Sequence, residues 1–253
     1  MYREHFGLRE SPFRLTPDTS YFYPGSSHQQ ALNMLRVALA DGEGFLKLTG
    51  EVGLGKTLLC RTLLAQLDSS FFTAWIPNPD QSPASMRLSL ARELGIELPG
   101  NAGQDRVLRL ITERLVELVA QGRRPVLLID EAQALPKPTL EAIRLLTNIE
   151  TEQRKLLQVV LLGQPELDER LGRDDLRQLR QRISFSHRLQ PLDADGVAHY
   201  VQHRLRVAGH GDGELFDAAA LRLLAESSDG VPRLVNILAH KALLAAYGRG
   251  VPR

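Results

Sequence analysis

The segment that most constrains the fold is residues 46–57, where an apolar stretch leads through a glycine-rich loop into a predicted helix. Residues 50–57 fit the pattern G-x-x-x-x-G-K-[ST]. Glycines let consecutive backbone N–H groups turn toward phosphate oxygens, and the following helix adds the positive end of its dipole. The order of strand, loop and helix therefore predicts a phosphate-binding loop in an α/β fold. The alternative is a chance match in a glycine-containing turn.

The residues of this loop have predicted tasks. Lys56 reaches the β- and γ-phosphates of a nucleotide, and the Thr57 hydroxyl completes the coordination shell of a Mg²⁺ ion. The residues predicted to bind the nucleotide are those of the loop and the first helical turn: Gly50, Glu51, Val52, Gly53, Leu54, Gly55, Lys56, Thr57 and Leu58.

A second segment carries two carboxylates at the end of an apolar run. Residues 125–129 read as a buried parallel strand, and Asp130 and Glu131 follow directly. Asp130 is predicted to hold the Mg²⁺ ion and Glu131 to polarise the attacking water. On its own this pattern is weak, because such a strand could simply end in solvent. Together with the glycine loop it predicts an ATPase.

Composition sets few limits on function. The chain has 253 residues, 43% of them hydrophobic, a formal net charge of +1 and a single cysteine, Cys60. This charge gives no global argument for nucleic acid, a membrane surface or an acidic substrate. Cys60 lies among leucines of the predicted helix and is expected to be a buried structural thiol. No apolar stretch approaches the roughly 18 residues that span a bilayer, and the start of the chain lacks a signal peptide's apolar region, so a cytoplasmic location is expected.

Strands and helices alternate in the first three quarters of the chain. This pattern predicts a parallel sheet with helices on both faces in a domain of residues 1–190, in which residues 6–24 form a covering segment and Trp75 lies in a central strand. A small all-helical lid is predicted over residues 191–253. Strands are predicted over residues 45–49, 71–76, 126–130, 158–162 and 183–189, and helices over residues 31–40, 56–67, 85–94, 105–121, 138–147, 194–207, 217–225 and 231–247.

Gln164 follows the fourth predicted strand. A polar side chain at this strand end would lie beside the phosphate loop and face the γ-phosphate and the attacking water, which makes Gln164 a candidate sensor. The alternative is an ordinary turn residue, because Gly163 and Pro165 flank it.

Residues 170–188 contain six arginines and two aspartates. A single arginine that acts on a neighbouring subunit's nucleotide would stabilise charge on the transferring phosphoryl group. We rank Arg182 before Arg180 for this finger role. The alternatives are a solvated basic face and a patch that contacts DNA.

Arg233 lies at the predicted start of the last helix, after Gly230 and Pro232. The helix dipole is positive there, so an arginine at this end is electrostatically unfavourable and suggests an external anion. A nucleotide phosphate is the obvious one. The alternative is a carboxylate partner such as Asp229.

These features together resemble an AAA+ ATPase, and shorter motifs narrow the resemblance to the ExeA family, ATPases of the general secretion pathway. The match runs over nearly the whole chain, and the order and number of its motifs make it specific. The motifs are residues 5–13 (HFGLRESPF), 15–18 (LTPD), 42–45 (GEGF), 76–79 (IPNP), 130–133 (DEAQ), 163–167 (GQPEL) and 181–183 (QRI).

The resemblance implies a Mg²⁺-dependent ATPase that oligomerises on nucleotide binding and drives assembly or remodelling of a pilus or secretion apparatus through an inner-membrane partner. It assigns Gln164 as first sensor, Arg182 as finger and Arg233 as second sensor. Lys56, Thr57, Asp130 and Glu131 form its catalytic core. A DNA-associated AAA+ regulator of the transposition or replication-loader type is the alternative, and a nucleotide-gated scaffold is a third. No base-reading motif separates ATP from GTP.

Overall fold

The computed structural model describes residues 2–100, 102–148, 155–211 and 213–251. Two compact units divide the chain. The sheet unit comprises Ala31–Glu51 and Cys60–Arg188, and the helical unit comprises Met1–Gln30, Val52–Leu59 and Leu189–Arg253. This division differs from the predicted domains of residues 1–190 and 191–253, because the first thirty residues and the end of the glycine loop cluster with the last helices.

The sheet unit is built on a five-stranded parallel sheet in the order β2-β3-β4-β1-β5. Thr49 of β1 pairs with Gly163 of β4, and β3 ends beside them. The connections that follow β1 and β4 leave in opposite directions along the sheet, which is the point where ligands bind in open α/β folds. The strands are β1 Phe45–Thr49, β2 Phe71–Ile76, β3 Arg124–Ile129, β4 Gln158–Gly163 and β5 Ile183–Arg188.

Burial follows the position of each strand in the sheet. All of β4 and all but the first residue of β3 are buried, whereas side chains of the edge strand β5 alternate between half-buried and exposed. Helices cover both faces of the sheet, so the central strands are buried on both sides. This burial explains their continuous apolar runs. Trp75 lies in β2, the other edge strand, and is half-buried. Its predicted placement in a central strand is therefore wrong.

The predicted helices are observed to within a few residues, apart from an earlier start of the first long helix at Ser26. The short helices Tyr2–His5, Glu166–Gly172 and Arg177–Arg180 were not predicted. Side-chain caps fix several starts: Ser82, Asp193 and Asp217 each accept a backbone N–H from the first turn of the helix that follows. The helices are α1 Tyr2–His5, α2 Ser26–Ala40, α3 Lys56–Gln66, α4 Pro83–Glu93, α5 Gln104–Ala120, α6 Lys137–Leu146, α7 Glu166–Gly172, α8 Arg177–Arg180, α9 Ala194–Val207, α10 Ala218–Ser228 and α11 Pro232–Gly248, with short 3₁₀ helices at Thr19–Tyr21, Ala132–Ala134 and Asp174–Leu176.

The helical unit has a core of its own, to which the amino-terminal segment contributes. Buried Arg204 on α9 donates to the carbonyl oxygens of Pro12 at 2.5 Å and Arg14 at 3.1 Å, and its guanidinium carbon lies 4.4 Å from the centroid of the Tyr21 ring. These contacts hold the segment against α9. The core includes Phe6, Leu8, Phe13, Tyr21, Val197, Val201, Leu205, Val235, Ala239 and Leu243.

Among the helices that the structure describes, none combines the length and the apolar character that crossing a bilayer demands.

Candidate functional site

The glycine loop leaves β1 at the carboxyl edge of the sheet. The backbone N–H of Gly50 donates to the carbonyl oxygen of Gly163 at 3.2 Å, which joins the loop's first residue to the end of β4. Further along, Gly53 and Gly55 have φ angles of 86° and 88°, values that a residue with a Cβ adopts only under strain. α3 begins at Lys56. The loop therefore has the sharp turns and the helix start that a phosphate-binding loop needs.

Within the helical unit, two carbonyl groups of the loop are bonded from outside it. The backbone N–H of Arg233 donates to the Gly53 oxygen at 3.2 Å. His28 Nε2 lies 2.6 Å from the Leu54 oxygen, and because a carbonyl can only accept, the imidazole is the donor. Both carbonyl oxygens are therefore engaged by donors from outside the loop. In an anion-binding nest it is the backbone N–H groups that face the ligand.

Lys56 and Thr57 directly follow these turns. Lys56 is the first residue of α3 and is buried, with 6% of its surface exposed, and Thr57 is half-buried. A buried lysine is rare in proteins unless it meets an anion or another partner. Leu54 is fully buried, whereas Val52 is exposed.

The acid pair follows β3 as predicted. The backbone N–H of Asp130 donates to the carbonyl oxygen of Ile76 at 3.0 Å, and Asp130 is buried. Glu131 has a left-handed backbone with φ 51° and ψ 37°, and its N–H donates to Asp130 Oδ1 at 2.9 Å. A glutamate in this region is strained, and such strain is concentrated at functional sites.

Gln164 meets Glu131 directly. The Gln164 side-chain amide donates to Glu131 Oε2 at 3.1 Å, and Gln133 Nε2 donates to the same oxygen at 2.5 Å. Gln133 Oε1 in turn accepts the backbone N–H of Gln164 at 3.0 Å. The predicted sensor and the predicted base thus belong to one hydrogen-bonded cluster at the ends of β3 and β4.

α7 supports this cluster and the end of β1. The Arg170 guanidinium donates to the carbonyl oxygens of Gln133 and Leu135, on either side of the turn after Glu131. Asp168, two residues earlier on α7, accepts the Thr49 hydroxyl at 2.9 Å and forms an ion pair with Lys47. Through these contacts α7 stabilises both the end of β1, which precedes the glycine loop, and the turn that follows Glu131.

The arginines between residues 170 and 188 lie in different environments. Arg180 donates to the Gly172 carbonyl oxygen at 2.8 Å, and Arg173 Nε lies 3.6 Å from Asp175 Oδ1. Arg182 is exposed, and its side chain has no hydrogen bond or ion pair to the residues that the structure describes. Both finger candidates are exposed, and of the two only Arg180 has a hydrogen bond to a described residue.

Arg233 occupies the first turn of α11, as predicted, and its side chain is exposed. Asp229 has a left-handed backbone with φ 47° in the turn before the helix. In the described part of the chain, no ion pair joins this arginine to Asp229 or to another carboxylate. The unfavourable charge at the helix start is therefore uncompensated by these residues.

Cys60 lies on α3 and is fully buried. Burial, together with the negative charge of Asp130, raises the pKa of the Cys60 thiol far above its usual range. A thiol that stays protonated is a poor nucleophile and a poor metal ligand. The prediction of a buried structural thiol is confirmed.

The donor set fits Mg²⁺ bound with a nucleotide better than a metal held by protein alone. Among the described residues, no group of three or more histidine, cysteine, aspartate or glutamate side chains converges as a metal cage does. Thr57 carries a hydroxyl and Asp130 a carboxylate, and Mg²⁺ typically takes one or two protein oxygen ligands of these kinds together with phosphates and water.

Several site residues were not predicted as such from the sequence. His28 precedes Leu54 by 26 positions, and nothing in its local pattern distinguishes it from any other helical residue. Gln133 belongs to the DEAQ motif, which indicates the family but does not indicate what this glutamine does. The sequence indicates Arg170 only as a member of the arginine cluster. No sequence pattern indicates a role for Asp168.

The sheet order, the glycine loop before α3 and the acid pair after β3 define a P-loop nucleotide-binding protein with an AAA+ core followed by a helical region. The chain belongs to the AAA domain family, whose sequence profile matches residues 39–171. Among curated proteins, General secretion pathway protein A of Aeromonas hydrophila is 44% identical over 250 residues, which cover 99% of this chain and 46% of that protein. The chain thus spans about half the length of this relative, and the similarity supports the ExeA resemblance.

Solved structures give the same fold at low sequence identity. The ORC2 protein of Aeropyrum pernix has a TM-score of 0.71 and 16% identity, and the match covers 96% of this chain and 68% of that one. Cdc6p of Pyrobaculum aerophilum has a TM-score of 0.70 and 21% identity, over 93% of this chain and 68% of that one. At these identities the likeness establishes the fold alone. The predicted α/β architecture with a helical carboxyl-terminal region is confirmed.

Proposed function

We propose that this protein is a Mg²⁺-dependent AAA+ ATPase that drives assembly or remodelling of a type IV pilus or secretion apparatus. The observation that carries the ATPase proposal is the hydrogen bond between Gln164 and the Glu131 carboxylate. A carboxylate directly after the buried Asp130, oriented by a polar residue of the next strand, is suited to act as a base on water. A protein that only bound nucleotide as a switch or scaffold would not need such a base.

Each residue has a role in this proposal. The N–H groups of residues 50–58 bind the phosphates, with Lys56 on the β- and γ-phosphates. Thr57 and Asp130 would hold the Mg²⁺ ion, which neutralises charge on the phosphates when it is bound. Glu131 accepts a proton from the attacking water, Gln164 orients that water, and Arg233 binds a phosphate oxygen from the start of α11.

The secretion role rests on the similarity to General secretion pathway protein A. A finer resemblance, to the pilus biogenesis ATPase MshM, leads us to propose a type IV pilus as the assembly served. We propose that the chain works in the cytoplasm and reaches the inner membrane through a protein partner of that machinery.

Because of Arg182, we propose that the protein hydrolyses ATP as an oligomer. An exposed guanidinium without a partner among the described residues can reach a nucleotide bound to a second copy. ATP turnover per subunit is then expected to rise with protein concentration. Arg182→Ala should abolish this rise while leaving ATP binding within twofold of wild type, since a finger is worth about 10³–10⁵ in rate.

The exposed Arg173, which pairs with Asp175, provides a matched control, and Arg173→Ala should behave as wild type. Loss of the rise in Arg180→Ala instead of Arg182→Ala would move the finger to Arg180. Wild-type behaviour of both variants would refute a finger in this segment.

A DNA-associated regulator is the competing function, since Arg177, Arg182 and Arg188 are exposed on the same unit. Four of the six arginines of that segment have protein partners: Arg170 and Arg180 bond to carbonyl oxygens, Arg173 pairs with Asp175, and Arg188 pairs with Glu51. This reduces the charge available to phosphates. DNA-stimulated turnover that falls steeply with salt would support this function, and absence of DNA binding at low salt would refute it.

A further inference from the structure

Gln133 connects the two residues on which the proposed hydrolysis depends. Its side-chain N–H donates to Glu131 Oε2 at 2.5 Å, and its side-chain oxygen accepts the Gln164 N–H at 3.0 Å. One amide therefore links the base at the end of β3 with the backbone at the end of β4. Neither link could be made by an apolar side chain of the same length.

Both hydrogen bonds to the Glu131 carboxylate reach the same oxygen. Gln133 and Gln164 each donate to Oε2, and among the described residues none donates to Oε1. A carboxylate fixed through one oxygen presents its other oxygen in a defined direction. Oε1 is therefore the atom able to accept a proton from water.

The position of Gln133 is itself held. The Arg170 guanidinium donates to the carbonyl oxygens of Gln133 and Leu135, which closes the short 3₁₀ helix Ala132–Ala134 from the side of α7. The strained left-handed backbone of Glu131 precedes this turn. A strained residue persists when its surroundings over-determine it, and here Arg170 and Gln133 supply that constraint.

We propose that Gln133 is a positioning residue for hydrolysis, which holds Glu131 and the Gln164 strand end in one arrangement so that Glu131 Oε1 faces the attacking water. This inference rests on the proposed ATPase function and extends it to a residue that does not touch the nucleotide. Gln133 is expected to affect the rate of the chemical step and not the affinity for ATP.

The test compares Gln133→Met with wild type. Methionine has nearly the same length and fills the same space but makes neither hydrogen bond. Turnover at saturating ATP is expected to fall by about tenfold or more, because small displacements of a reacting group cost up to about 100-fold in rate. The dissociation constant for a fluorescent ATP analogue should stay within twofold. Gln178→Met, on the exposed surface of α8, is the matched control and should behave as wild type.

A second measurement separates positioning from a merely structural role. In a Glu131→Gln background, adding Gln133→Met should cause no further loss of single-turnover rate, since the group that it positions is already disabled. A structural role would instead weaken ATP binding and lower the melting temperature in both backgrounds. That outcome, or wild-type turnover in Gln133→Met, would overturn the inference. Absence of turnover in the wild type would refute the proposed function, whereas a normal wild type with an unaffected variant refutes the role of Gln133 alone.

Discussion

The side-chain amide of Gln164 donates a hydrogen bond to Glu131 Oε2 at 3.1 Å, although the two residues are 33 positions apart in the chain. They meet because β3 and β4 are parallel neighbours, whose carboxyl ends lie at one edge of the sheet. The pairing of a polar strand end with an acidic one is thus a consequence of topology. It ties the interpretation of Glu131 as a base to the interpretation of Gln164 as a sensor.

His28 should control nucleotide affinity. Its imidazole donates to the Leu54 carbonyl oxygen of the glycine loop, and His28→Leu leaves that oxygen without this donor. A lost buried hydrogen bond costs about 1–2 kcal/mol, so the dissociation constant for ATP is expected to rise by roughly tenfold. Turnover at saturating ATP should change little, because no step of the chemistry uses His28.

Two further variants make this prediction specific. Glutamine places an amide N–H close to the position of Nε2, so His28→Gln should restore most of the affinity. His199→Leu, at an exposed histidine on α9, should bind ATP as wild type does. Unchanged affinity in His28→Leu would contradict the role of His28 in shaping the loop.

Gly53 is expected to tolerate no side chain. Its φ is 86°, and a Cβ there would lie 2.9 Å from both Arg233 Cβ and Val231 Cγ1. Gly53→Ala should therefore lower the melting temperature and weaken ATP binding at least tenfold, since a left-handed residue with a Cβ costs roughly 1–2 kcal/mol before any clash. Calorimetry and ATP titration check both effects. Gly248→Ala, where a Cβ meets nothing within 4 Å, should match wild type.

Arg204 should be the main polar anchor of the amino-terminal segment. Arg204→Ala removes the donors to the Pro12 and Arg14 carbonyl oxygens and the cation that lies over Tyr21. The free energy of unfolding, measured with urea, is expected to fall by about 3 kcal/mol. Arg206→Ala, at an exposed arginine on the same helix, should change it by less than about 0.5 kcal/mol. Equal effects of the two substitutions would show that burial of Arg204 carries no special stability.

Local pattern was enough to predict the strands and most helix bounds. Short contiguous motifs were enough to identify the glycine loop, the acid pair and Gln164. The periodic pattern of apolar residues predicted the strands and helices around them. The prediction that Trp75 lies in a central strand was wrong because a run of apolar and aromatic residues is typical of central and edge strands alike. In the structure the Arg61 guanidinium carbon lies 5.6 Å from the centroid of the Trp75 ring, a contact that sequence spacing does not reveal.

Most contacts of the site that were not predicted join distant parts of the chain. His28 and Leu54 are 26 positions apart, and Arg170 reaches Gln133 over 37 positions. Which surfaces come together depends on the packing of whole helices. The same dependence on packing explains why the sequence did not predict that residues 2–30 group with α9–α11. The aromatic side chains of residues 2–30 could have covered either an α/β core or a helical one.

The most direct test of the central claim is ATP turnover with Mg²⁺, compared between wild type and Glu131→Gln at matched protein concentration. The substitution keeps the shape of the side chain and removes its ability to accept a proton. The wild type is expected to hydrolyse ATP, and the variant to bind ATP with unchanged affinity while losing turnover by about 100-fold or more, within the range that a general base contributes. Wild-type turnover in Glu131→Gln would contradict the account.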